Sequence, residues 1–320
     1  MKKRLAVVAG LLGVLGCASV AEAKDVSELK LGFIMDQAST QVISAMGNAM
    51  VDEANELGAQ GDLVFFDMNV NTMVGQIENF TNAGYDAILV EPLNADDGTE
   101  ALQAAHDAGI KIVTFDTIPN CDYDYSFTGN NTEIGYKIRE SAAKWAQENL
   151  VDKGIDPVIG LVEFPESEFL TARADGIRKA LEELLPDAEI VITGSGTTEG
   201  EGMEVGENFL VAYPDINVVC CINDDSAHGV YQAFSAAGYA DAQDRGIFSC
   251  DGTEQSKEYV GQNGVFKCVV DLELTEVARM MVDCAVEDLT GEDLEYEKDN
   301  FFPMNPLTYD TVPEEYKKAE

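Results

Sequence analysis

Short, unbroken apolar runs recur along this chain, each followed by a segment of helical periodicity. No other feature restricts its fold as much. Residues 29–35, 63–67, 86–91 (DAILVE) and 111–116 (KIVTFD) are such runs, and 41–57, 73–83 and 96–108 are the helical segments between them. A strand that is apolar on both sides must be covered on both sides, which requires a parallel sheet flanked by helices. Gly84 and Gly109 follow two of the helices, where a left-handed cap is needed. After a long helix over 132–150 the rhythm restarts. Strands are expected over 157–162, 189–193, 217–222, 245–250 and 265–270, and helices over 169–185, 203–212, 226–237 and 274–289. The pattern predicts an α/β protein of two doubly wound parallel-sheet lobes in tandem. No low-complexity linker divides them, so several chain crossings should join the lobes.

Polar residues stand where these runs stop. Asp36-Gln37 follows Met35, Asp116 follows Phe115, Asn223-Asp224 follows Ile222, and Asp251-Gly252 follows Cys250. One such residue would be an ordinary helix cap or loop residue. Several at one edge of two facing sheets point to a ligand site, because open parallel sheets bind ligands outside the carboxyl ends of their strands. Arg173, early in EFLTARADGIRKAL, adds a planar fork of donors suited to paired oxygens. Its alternative role is a surface partner of Glu166 or Glu168.

Residues 1–23 read as an export signal. Lys2, Lys3 and Arg4 precede an apolar run over 5–15, and Ala21-Glu22-Ala23 is a cleavage site. The run is too short to span a bilayer. Val14-Leu15-Gly16-Cys17 loosely fits a lipobox, which would make the product a cell-surface lipoprotein instead of a periplasmic protein. The net charge of −39 excludes a nucleic-acid partner. Six cysteines follow the signal. Four of them (Cys220, Cys221, Cys250, Cys268) fall in strand-like runs and read as small buried apolar residues. Adjacent Cys220 and Cys221 point to opposite faces of a strand and do not pair easily; a disulfide between neighbouring strands is the other reading. No zinc spacing is present, and the chain has two histidines.

No catalytic set assembles, and no metal or cofactor is called for. Asp225, Ser226 and His228 share one turn at a helix start, where they cannot form a relay, and His228 reads as a solvent-facing helix residue. Gly194-Ser195-Gly196 lacks the third glycine of a dinucleotide fingerprint, since Glu199 stands there. Asp122 and Asp124 lack the rest of a calcium loop.

Taken together, GQIENFTNAGYDAILVEPLN at 75–94, GIKIVTFDT at 109–117, TARADGIRKAL at 171–181, CINDDSAHGVYQAFSAAG at 221–238 and SCDGTEQS at 249–256 carry a resemblance. The chain resembles the ribose-binding-protein-like, type I periplasmic substrate-binding proteins of ABC sugar uptake over about residues 28–310. The resemblance implies a monomer that captures a small polar ligand, a monosaccharide, between two lobes and delivers it to a membrane permease. The alternative is a sensor presenting a sugar or non-sugar signal to a chemoreceptor or histidine kinase. It implies ligand contacts by Asp116, Arg173, Asn223 and Asp251, with Asp36, Gln37 and Gln41 from the first loop. It also implies a three-segment hinge near 129–131, 272–273 and 299–301. The N-terminal lobe would be 28–130 plus 273–298, and the C-terminal lobe 131–272 plus 299–320. The family's aromatic stacking positions fall here on Gln41-Val42, Thr198 and Cys250, and a late-strand glutamine falls on Leu272. Phe115, Phe164 and Tyr125 are the substitute aromatics, of which Phe115 fits the core better.

Overall fold

A computed structural model describes residues 24–292 and 294–318; the export signal and Cys17 lie outside the described residues. The first sheet has the order β11-β5-β4-β3-β1-β2, all parallel. Its strands are β1 (Lys30–Met35), β2 (Gln60–Phe65), β3 (Ala87–Val90), β4 (Lys111–Phe115), β5 (Tyr125–Thr128) and β11 (Asp299–Phe301). The second sheet has the order β12-β10-β9-β8-β6-β7. Its strands are β6 (Ile159–Glu163), β7 (Ile190–Ser195), β8 (Val218–Cys221), β9 (Gly246–Asp251), β10 (Phe266–Asp271) and β12 (Asn305–Thr308), of which β12 alone runs antiparallel. Helices α1 (Gln41–Leu57), α2 (Val70–Asn82), α3 (Thr99–Asp107) and α9 (Leu274–Thr290) cover the first sheet. Helices α4 (Asn131–Asn149), α5 (Glu168–Leu184), α6 (Glu199–Ala212), α7 (Asp224–Ala236) and α8 (Glu254–Gly261) cover the second.

Strand alternation sorts each sheet's apolar residues onto two buried faces. On β1, Leu31, Phe33 and Met35 pack with Met46 and Met50 of α1, while Ile34 turns to Met73, Ile77 and Phe80 of α2. On β8, Cys220 packs in one cluster and Cys221 in the opposite one. Five of the six described cysteines are buried thiols that fill core volume. Gly84 and Gly109 have φ of 69° and 89°, the left-handed conformation that ends α2 and α3.

The chain crosses between sheets three times: from β5 into α4, from β10 into α9, and from β11 into β12. The last crossing departs from expectation. Residues 299–320 are expected in the C-terminal lobe, but residues 299–301 pair with β5 in the first sheet, so the chain crosses over 302–304. Edge strands this short and polar carry no apolar run to reveal which sheet they join.

Two helix pairs pack backbone to backbone. A Cβ on Gly135 of α4 would lie 1.8 Å from the Arg173 carbonyl oxygen, and one on Gly176 of α5 would lie 2.0 Å from that of Thr132. Only hydrogen at both positions permits the approach, and it sets Arg173 beside Asn131. Gly202 of α6 and Gly229 of α7 do the same at the helix pair carrying Asp224 and Asp225.

Candidate functional site

The carboxyl ends of the two sheets face each other across a closed cleft. A cavity of about 50 Å³ lies between side chains from both lobes. Asp36, Glu91, Phe115 and Asp116 line it from the first lobe. Arg173, Thr197, Asn223 and Asp251 line it from the second, and Leu272 and Phe302 from two of the crossings.

Arg173 is its centre. The side chain is 3% exposed and is held on every side. Nε and Nη2 donate to Asn131 Oδ1 at 3.1 and 2.8 Å, and Nη1 donates to the Ile222 carbonyl at 2.8 Å. Asp251 Oδ1 lies 3.4 Å from Nη1, and Asp116 Oδ2 lies 3.7 Å from Nη2. The surface pairing with Glu166 or Glu168 is therefore replaced by a buried one. Both partner carboxylates stand on positive-φ backbone, Asp116 at 59° and Asp251 at 119°. Non-glycine residues rarely adopt such angles, and structures keep them where a side chain must be aimed. Asn131 Nδ2 donates to Asp116 Oδ1, and the Asp224 N–H donates to Asp251 Oδ2 at 3.1 Å.

The run Asn223-Asp224-Asp225 divides three tasks. Asn223 lines the cavity, but its amide is committed within its lobe. Oδ1 caps α7 through the Ser226 N–H at 3.2 Å, and Nδ2 donates to the Thr197 carbonyl at 2.7 Å. Asp224 is fully buried and accepts from the N–H groups of Gly252 and Thr253 at 3.1 and 2.8 Å, fixing the loop behind Asp251. Asp225 reaches the other lobe. Thr40, at the N-cap of α1, makes no side-chain cap; the Gln41 N–H instead donates to Asp225 Oδ1 and Oδ2 at 2.9 and 3.0 Å. An orphan donor of lobe one is thus satisfied by lobe two. Gln37 Nε2 to Thr197 Oγ1 at 3.2 Å and the Ala95 N–H to Glu168 Oε2 at 3.2 Å add two more bridges between the lobes.

Of the residues expected at the site, Asp36, Gln37, Asp116, Arg173, Asn223 and Asp251 line the cavity. Gln41 does not. Its side chain is exposed on the rim, where it donates to Gln255 Oε1 at 3.0 Å, while the following Val42 and Ile43 turn inward. His228 is buried, not solvent-facing; Nε2 bonds Ser256 Oγ at 2.7 Å, because the first two turns of α7 are enclosed on all sides. Apolar contact comes from Phe115, Phe169 and Phe302, and the rings of Phe115 and Phe302 stack at 5.8 Å; Phe164 and Tyr125 lie elsewhere. Glu91 was missed, although DAILVE ends on it as the neighbouring runs end on Asp36 and Asp116. Phe302 gave no signal, since its crossing has no periodic pattern.

Burial dominates the acidity of these groups. It pushes Asp36 up to about 7 against the Gln37 N–H, and Asp251 up to about 8 against Arg173. Burial raises Asp116 in spite of Arg173 and Asn131, and drives Glu91 well above the carboxylate range, with Asp36 and Asp116 adding to it. Asp225 rises to about 6 for the same reason, opposed by the Gln41 N–H.

Two α/β lobes are joined by three crossings, and charged and amide groups converge on the cleft between them. The family model described as "Periplasmic binding protein domain" matches residues 31–293, and the chain belongs to that family. It is 26% identical over 222 residues to the ABC transporter periplasmic-binding protein YphF of Escherichia coli, a match covering 68% of this chain and 64% of that protein. It is 24% identical over 304 residues to the D-xylose-binding periplasmic protein of Haemophilus influenzae, covering 92% and 86%. The solved ABC transporter periplasmic solute-binding protein of Actinobacillus succinogenes with bound D-allose superposes with a TM-score of 0.77 at 21% identity, covering 89% of this chain and 99% of that one.

Proposed function

We propose that this protein is an exported receptor that captures a monosaccharide in the interlobe cleft and delivers it to an ABC permease. One observation carries the reading: a buried guanidinium clamped between two strand-end carboxyls, at the meeting of two lobes. A carboxylate accepts from two hydroxyls, the guanidinium and amides orient them, and the phenyl rings cover the C–H faces. Charged hydrogen bonds contribute about 1.5–3 kcal/mol each, and a ligand without the matching hydroxyl leaves a buried group unpaired. The named ligands of relatives, D-xylose and D-allose among them, support a sugar. Asp36, Gln37, Asp116, Arg173, Asn223 and Asp251 form the binding set, and the Gln41 N–H joins the lobes through Asp225. Closure about the three crossings buries the ligand and presents a loaded surface to the permease. The protein works as a monomer in the periplasm, or at the cell surface if Cys17 is lipidated.

A thermal-shift screen of the protein lacking residues 1–23, run against monosaccharides, tests this. A ligand at 100 times its Kd should add about 2.7 kcal/mol of stability. Asp116→Ala, Arg173→Ala and Asp251→Ala should each abolish the response while far-UV circular dichroism stays unchanged. An undiminished response in all three folded variants removes the site.

A further inference from the structure

The carboxyls and cations of the cleft do not balance. Four carboxyl groups line it (Asp36, Glu91, Asp116 and Asp251), and Arg173 is the one cation among the described lining residues. The charge of that cation is already matched. Its ion-pair contacts are with Asp116 and Asp251, and its remaining hydrogen bonds go to Asn131, Ile222 and the Cys250 thiol. The wall built by lobe one is left with two carboxyls on neighbouring strands. Asp36 follows β1 and Glu91 follows β3, and these strands are paired with Ile34 opposite Val90. Asp36 is 7% exposed and Glu91 is 1% exposed. No ion pair among the described residues reaches either one. Glu91 Oε2 is buried and has no hydrogen-bond partner.

A buried, unpartnered carboxyl oxygen is a cost that the fold keeps only where something answers it. A neutral hydroxyl would supply one donor and no charge. An ammonium supplies three donors and a positive charge, so that two carboxyls which no protein cation reaches can ionise against it. We infer that the ligand carries a protonated amine, seated against Asp36 and Glu91, beside the hydroxyls that face Asp116, Arg173 and Asp251; its class is an amino-substituted monosaccharide. The inference rests on the reading of the cleft as a sugar site and adds the second charge that the site would recognise. Glu91 is then a specificity-determining residue.

The test compares aminodeoxy hexoses and pentoses, each beside its neutral parent sugar, by isothermal titration calorimetry at pH 7.5. At least one aminodeoxy sugar should bind tenfold or more tightly than its parent. In the Asp36→Asn/Glu91→Gln double variant, checked for folding by its melting temperature, that preference should vanish or reverse. Neutral parents that bind as tightly as their amines, or more tightly, would overturn the inference and leave the sugar-receptor reading standing. A preference for the amine that survives in the folded double variant would also overturn it, since the charge would then be read elsewhere. If neither class binds, both readings fall.

Discussion

Asp225 shows how much one side chain can decide where two lobes meet. Its carboxyl is the cap that α1 lacks, and it can serve only when the lobes meet. Loss of an N-cap acceptor costs about 1 kcal/mol, and here the whole of that cost falls on the closed state. Asp225→Ala should therefore weaken ligand affinity about five- to tenfold, chiefly through faster release, with the melting temperature of the ligand-free protein little changed. Asp225→Asn keeps an acceptor oxygen and should stay within about threefold of wild type. The same carboxyl is pushed up to about 6 by burial between the lobes, and parting the lobes would return it toward water and an ordinary acidity. Closing therefore takes up a proton between about pH 4 and pH 6, and Asp225→Asn should remove that share of the pH dependence. Stopped-flow release rates and titration calorimetry across this range decide the matter; equal affinities for the alanine and wild-type proteins would show that the latch contributes nothing.

At the level of elements, the site depends on how closely helices approach. Gly135 and Gly176 let α4 and α5 touch through their backbones, and Arg173 and Asn131 are the polar residues brought together there. A methyl group at Gly135 would stand 1.8 Å from the Arg173 carbonyl oxygen, so α5 must move or unwind. Gly135→Ala should cost about 1–3 kcal/mol of stability by overpacking and reduce ligand affinity at least tenfold by shifting Arg173. Gly75→Ala, where the added carbon meets nothing, is the matched control in α2. Ligand affinity unchanged in a folded Gly135→Ala protein would refute this placement. The glycines were visible in TARADGIRKAL and NTEIGYKIRE, but nothing in the pattern said that they face each other. What the apolar runs did disclose was the two sheets, because continuous burial leaves a continuous run. β2 was displaced from residues 63–67 to Gln60–Phe65, since an edge strand is only half covered and begins on polar residues. The strand-end rule found Asp36, Asp116 and Asp251, and applied evenly it would have found Glu91. Phe302 lay beyond it, on a crossing whose position only the closed chain defines.

For the whole molecule, the cleft stores an electrostatic imbalance that should appear in its stability. The net charge of −39 acts at every pH near neutrality, but ordinary surface carboxyls titrate below pH 5. Between pH 5 and pH 7 the groups that matter are the buried ones. Asp36 and Asp251 hold protons up to about 7 and 8, and Glu91 and Asp116 are raised alongside them, all by burial. In the unfolded chain the same carboxyls are ionised throughout this range. The folded state therefore binds more protons than the unfolded state, and stability falls as pH rises. His228 acts in the opposite sense, because burial lowers its pKa and keeps it neutral while the unfolded chain would protonate it below about 6.5. One histidine opposes several carboxyls, each changing stability by up to about 1.4 kcal/mol per pH unit, so the carboxyls prevail. The melting temperature of the ligand-free protein should rise by at least about 2 °C for each pH unit from 7 down to 5. Asp36→Asn/Glu91→Gln should melt higher than wild type at pH 7 and show a shallower slope, because it removes two of the groups that carry the effect. Differential scanning calorimetry in one buffer series measures both slopes. A melting temperature that is flat or falls toward pH 5 would mean that the carboxyls are ionised in the closed cleft and already neutralised by the protein itself.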